Sequence, residues 1–250
     1  MKYHWLEAWR MLKPRADDPH GPLAPMLVIL TVVTGLVDAF SYLELGRVFV
    51  ANMTGNVVFL SFALGGAPGF IWWASLLAVA AFFLGAFLGG RITAAAGEHR
   101  GRHLRTAAAT QCGLLLLAVV LTLVVPAPAT GQSYQGALLG VLILLLGIAM
   151  GLQNATARTL AVPDLTTTVL TLTITGIGSD STLAGGKNSR AGRRMLSVLA
   201  MFAGGLVGVL LIQAGLSRWV LICSALLLLG VTLLAARSAG STGPWVSPRS

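Results

Sequence analysis

Asp38 lies well inside a long hydrophobic run, in a chain with only eight Asp and Glu among its 250 residues. An ionised carboxylate there is costly, so it should face protein or water and have a partner; Thr34 and Asn56 are the near candidates. That cost makes Asp38 a candidate for solute binding and for proton coupling; the bland alternative is a structural hydrogen bond. Further on, Asn52-Met53-Thr54-Gly55-Asn56 forms a polar knot around a helix-breaking glycine. Asn52, Thr54, Gly55 and Asn56 offer amide, hydroxyl and backbone N–H groups if a half-helix begins here. Such a turn can bind an anion or a polar solute. A satisfied helix cap buried in the membrane is the competing reading.

The second half carries a degenerate copy. Gly151-Leu152-Gln153-Asn154-Ala155 is followed by Pro163-Asp164-Leu165-Thr166-Thr167-Thr168. Gln153, Asn154, Thr166, Thr167 and Thr168 are the matching solute-binding candidates, with Asp164 as an expected N-cap. Their chemistry differs from that of the first set, so an asymmetric site is expected. Glu44 and Arg47, three apart, are expected to pair at the membrane interface or to act as a gate. Arg158, one turn beyond Asn154, is expected to anchor its helix at the surface, with substrate contact as the sharper alternative. Thr171, Thr173 and Thr175 are expected to bond back to their own helix.

No catalytic constellation is present, so no enzyme and no cofactor are expected. His4, His20, His99 and His103 lie in terminal or connecting segments, and arginines crowd the last two, which disfavours a metal site. Gly185-Gly186-Lys187 lacks the upstream glycine and the following Ser or Thr of a P-loop. Cys112 and Cys223 sit in separate apolar runs and support no disulfide framework.

The elements that must hold these residues are membrane helices. The chain is 56% hydrophobic and 10% charged, with 30 glycines and a mean hydropathy of +0.82. A soluble domain has about 25% charged residues. The fold class expected is an all-α polytopic membrane protein, with lipid as its surrounding partner. The net charge of +9 is no nucleic-acid signal, because the Lys and Arg residues occupy the connections between apolar runs.

Six runs reach the ~20 apolar residues that a span needs: 24–45, 70–91, 107–125, 136–157, 195–214 and 217–236. Two weaker runs, 52–66 and 165–178, are short and polar at their starts. With six spans, the basic groups of residues 1–22, 92–106 and 179–194 fall on one face. With eight spans, Arg100–Arg105 would move to the other. The positive-inside rule favours six spans, two half-helices and both termini in the cytoplasm; eight spans is the alternative. Residues 1–22 are read as a cytoplasmic segment, and Trp5, Leu6, Trp9 and Leu12 suggest an interfacial helix. Residues 238–250, rich in Ser, Gly and Pro, are expected to be disordered.

The halves, 23–125 and 126–237, match element by element. Gly35–Ala39 answers Gly151–Ala155, Met53–Asn56 answers Leu165–Thr168, and Phe83–Gly89 answers Phe202–Gly208. Cys112 answers Cys223, each ahead of a four-leucine run. Three spans per half make the second half enter from the opposite side, which gives an inverted repeat with its site at the repeat interface. The inversion would put Cys112 and Cys223 near opposite faces. Gly85/Gly89 and Gly204/Gly208 have the small-xxx-small spacing of close helix packing.

The stretch VTGLVDAFSYLELGRVFVANMTGN, with GLQNATAR and DLTTT later, resembles the YoaK family of small bacterial integral membrane proteins. The resemblance covers about residues 24–236. It implies a bacterial inner-membrane protein and supplies no substrate. The residues favour a secondary transporter or permease for a small polar solute, bound between the half-helices near the midplane. The second reading is a non-transporting scaffold, sensor or partner subunit. Association into a homo-oligomer is left open.

Overall fold

The computed structural model describes residues 18, 20–97, 99–129, 131–163, 165, 167, 170–181, 184–186, 191–243 and 245–246. The interfacial helix expected near the N-terminus, Asp164, Thr166 and Thr168 lie outside the described residues.

Among the described residues there are eight helices and no strand. They are α1 (Leu23–Glu44), α2 (Met53–Leu64), α3 (Trp72–Ala96), α4 (Arg100–Val124), α5 (Gly136–Leu160), α6 (Leu170–Ser179), α7 (Ala191–Gln213) and α8 (Ser217–Ser238). All but α2 and α6 are long and apolar enough to cross a membrane. The two short helices span only about 18 and 15 Å at 1.5 Å per residue, against a hydrocarbon core of roughly 30 Å. The basic connection expected over 92–106 is mostly helical. α3 runs on to Ala96, Gly97 turns with φ +62, and the His99 ring accepts the Arg102 amide at 3.2 Å to cap α4.

Side-chain contacts fix which helix ends meet. At one end, called near, Arg100 at the start of α4 donates to the carbonyl of Leu160, where α5 stops, and to that of Trp245, beyond α8. Gly21, just before α1, packs on the Trp245 ring there. At the opposite, far end the Tyr134 amide donates to the Glu44 carbonyl at 2.8 Å. Arg218, at the start of α8, donates to the Val125 carbonyl at 2.9 Å. The expected disorder of 238–250 does not hold for its described part. Trp245 is buried, and the Val246 carbonyl accepts the Arg100 amide at 2.9 Å. One aromatic side chain with glycines to pack on outweighs a flexible composition.

Two parallel helix pairs form the frame. α1 lies on α7, and α3 lies on α5. At each crossing the helices touch backbone to backbone. A Cβ on Gly35 would strike Met201 O and Gly205 N, and one on Gly204 would strike Val32 O. In the other pair, a Cβ on Gly151 would strike Phe82 O, and one on Gly85 would strike Ile148 O. Absent side chains are what let these helices approach so closely. α4 and α8 run antiparallel on one flank, and α1 and α5 are the most enclosed of the long helices.

The centre is polar. Gln153 of α5 donates to Thr34 Oγ1 at 2.7 Å and to the Leu30 carbonyl at 3.2 Å, and accepts from Gln111 of α4 at 2.7 Å. One glutamine thereby joins three helices.

Candidate functional site

α1 ends in a turn that sends the chain back into the bundle. Gly46 takes φ +77 and the Arg47 amide reaches the Tyr42 carbonyl at 3.2 Å, a six-to-one closure that suits glycine. The returning segment is held at three points. Phe49 stacks on Tyr42 with centroids 5.0 Å apart. The Val50 and Ala51 amides donate to Asp38 Oδ1 at 3.2 and 3.0 Å. The Asn56 side chain accepts the Phe49 amide at 2.9 Å and donates to the Phe49 carbonyl.

α2 therefore starts level with Asp38, about 9 Å inside the end of α1 at 1.5 Å per residue. It then returns to the far end. Phe59 and Phe62 pack on Phe70, and the Arg47 guanidinium sits 5.7 Å over the Phe70 ring. α2 enters and leaves at one end, without crossing. α6 ends beside the first turn of α7, at the near end, where Arg194 donates to the Gly176 carbonyl and to Asp180 Oδ2.

Between the two short helices lies a cavity of about 690 Å³. Asn52, Thr54 and Gly55 reach it from the start of α2, Asn154 and Arg158 from α5, and Thr171 from α6. Val58, Phe59 and Phe82 give it an apolar wall. The Asn52 side chain makes no capping bond to α2. A second cavity of about 370 Å³ lies between α1 and α7, with Asp38, Tyr42 and Asn52 on one side and Met201 and Gly205 on the other. Asn52 borders both.

The two cavities occupy matching positions. Asp38 and Tyr42 follow the crossing glycine Gly35 by three and seven residues, as Asn154 and Arg158 follow Gly151. The partner helices match too: Met201 and Gly205 stand where Phe82 and Ala86 stand.

Of the residues singled out from sequence, Asn52, Thr54, Gly55, Asn154 and Arg158 share the larger cavity, and Asp38 borders the smaller. Asp38 is bonded by Val50 and Ala51 rather than by Thr34 or Asn56, because the returning segment brings two free amides to it. Asn56 and Gln153 turn away from the cavities and hold backbone and helices together. Thr167 is buried at φ +56, and its Oγ1 has no hydrogen-bond partner among the described residues.

Glu44 and Arg47 do not pair. Arg47 turns to Phe70, while Glu44 is 3% exposed, with Oε2 unpartnered among the described residues. The positive φ of Arg47, +59, aims the two side chains apart. Cys112 and Cys223 are both free, and the expected separation to opposite faces does not hold. The Cys112 thiol packs 3.8 Å from the Ala225 carbonyl, two residues beyond Cys223.

Sequence reasoning missed Gln111 and Tyr134. Burial pushes the Tyr134 phenol up, the Glu44 charge adds to this, and Arg218 opposes it. Tyr134 lies outside the apolar runs; Gln111 lies inside the run 107–125, and its polarity there was the signal that could have marked it.

Six long apolar helices, two short helices and a polar centre define a polytopic membrane protein. Residues 26–234 match the family described as "Protein of unknown function (DUF1275)", and the chain belongs to that family. It is 33% identical over 156 residues to the UPF0700 transmembrane protein YoaK of Bacillus subtilis (strain 168), a match covering 62% of this chain and 65% of that protein. No solved structure matches the chain.

Proposed function

We propose that the protein is a small secondary transporter, and that the larger cavity binds its polar solute. The observation that carries this reading is the sharing of one cavity by the start of α2, by α5 and by α6. Sites between broken or re-entrant helices at a repeat interface are the common plan of such transporters. The paired crossings, α1 on α7 and α3 on α5, support an inverted repeat with halves 23–125 and 126–237. The short helices entering from opposite ends support it further.

The near end carries Arg91, Arg100, Arg102, Arg105, Arg158, Arg193, Arg194 and Arg237, and the far end carries Arg47 and Arg218. The positive-inside rule makes the near end cytoplasmic, with both termini, in the inner membrane of a bacterium. Asp38, beside a cavity that shares Asn52 with the solute site, is the proton-coupling group. A scaffold is the second reading, favoured by the structural use of Asn56 and Gln153.

The test is a thermal-stability screen of the purified protein against a panel of polar solutes. A ligand bound only by the folded state adds RT ln(1 + [L]/Kd), about 2.7 kcal/mol at a hundred times Kd. A dose-dependent shift lost in Asn52→Ala and in Asn154→Ala supports the transporter reading. A flat panel, with both variants simply less stable than the parent, supports the scaffold.

A further inference from the structure

We infer that the larger cavity takes an organic anion: a carboxylate on a compact apolar body. This deepens the solute-binding reading above and rests on it. Arg158 lines the cavity and makes no hydrogen bond or ion pair among the described residues. Among the described residues no Asp or Glu lines it. A guanidinium offers a planar fork of N–H donors that fits a carboxylate with two parallel bonds. Asn52, Thr54 and Asn154 add amide and hydroxyl donors beside it.

The matching positions make the charge meaningful. After the crossing glycine, α1 has Asp38 and Tyr42, where α5 has Asn154 and Arg158. The repeat has separated its charges: the acid faces the smaller cavity and the cation faces the larger. A cationic solute in the larger cavity would meet Arg158, with no acidic side chain among the described lining residues to offset it. The apolar side is equally distinct. Met53, Val58, Phe59 and Phe82 line the cavity as well, and they favour a ligand that buries carbon as well as charge. A cavity of about 690 Å³ falls within the usual range for small-molecule sites.

The experiment is a calorimetric titration of the full chain in detergent with three probes: benzoate, benzylamine and inorganic phosphate. Benzoate is expected to bind saturably. Binding should weaken roughly ten- to a hundredfold in Arg158→Gln, as for loss of a charged hydrogen-bonding partner. Arg158→Lys should restore part of it, and Arg237→Gln, outside the cavity, should leave it unchanged. Benzylamine binding without benzoate overturns the anion assignment and leaves a solute site standing. Phosphate binding as tightly as benzoate overturns the apolar body. Benzoate binding that is indifferent to Arg158 overturns the site, and no benzoate binding overturns the ligand class. The broader solute reading has its own test in Asn52→Ala and Asn154→Ala.

Discussion

The Ala51 amide donates to Asp38 Oδ1 at 3.0 Å, thirteen residues apart in the chain. That bond, with the one from Val50, fixes where α2 begins. The acid that sequence offered as a proton carrier is bonded as a positioning group for the larger cavity, because Asn52 and Thr54 follow Ala51 directly.

The proposed coupling role of Asp38 and its positioning role are separable. In Asp38→Asn the side-chain oxygen can still accept both amides, so melting should stay close to that of the parent while proton-coupled uptake is lost. Asp38→Ala leaves two amides unpaired inside the membrane, at about 1–3 kcal/mol each. Thermal unfolding of both variants in detergent checks this, and equal destabilisation would remove the positioning role.

The glycine crossings should tolerate nothing larger. Gly35→Val and Gly204→Val drive a side chain into the backbone of the facing helix and should cost at least the roughly 1–3 kcal/mol of overpacking. Gly113 in α4 has nothing within 4 Å, so Gly113→Ala should be neutral or stabilise by up to about 1 kcal/mol. Unfolding midpoints in one detergent distinguish the cases.

Gln153 should behave as a coupled group. Gln153→Leu breaks side-chain bonds to Gln111 and Thr34, and interhelical bonds in membranes average about 0.6 kcal/mol each. The double variant Gln111→Leu with Gln153→Leu should cost less than the two single variants added together, since neither then leaves a widowed amide. Additive costs in that cycle would mean that the two residues do not interact.

The junction of α6 and α7 should be sensitive to acid. Arg194 lies 2.6 Å from Asp180, and its hydrogen bond, followed by one from Ser179, holds the Asp180 carboxyl below its usual range. A depressed folded value stabilises above the unfolded pKa, about 3.9, and the contribution is lost as pH falls through the lower folded value. Protection from hydrogen exchange at residues 178–181, measured against the intrinsic rate at each pH, should therefore fall below about pH 4, and Asp180→Asn should remove that fall in protection.

Much of this was legible because polar residues are rare in the apolar runs. Asp38, Asn52, Thr54 and Asn154 stood out against their surroundings, and hydropathy alone marked all six long helices. What stayed hidden depends on contacts between distant segments. Gln111 meets Gln153 across 42 positions. Glu44 meets Tyr134 rather than its near neighbour Arg47, because the turn at Gly46 and Arg47 points the two side chains apart. Asn56 looked like a ligand, yet it clamps Phe49, since the returning segment needs a partner for its backbone. Hydropathy shows that a helix crosses; which face it turns inward is decided by packing.

Alternating access to the larger cavity is the central claim, and thiol labelling tests it most directly, without knowing the solute. In a background with Cys112→Ala and Cys223→Ala, Thr54→Cys places a thiol on the cavity, and Val57→Cys places one on the exposed apolar face of α2. Each is treated with a membrane-impermeant thiol reagent in right-side-out and in inverted vesicles. The account predicts that Thr54→Cys is labelled from both sides and Val57→Cys from neither. Labelling of Thr54→Cys from one side alone, or from neither, would contradict a transport cycle through this cavity.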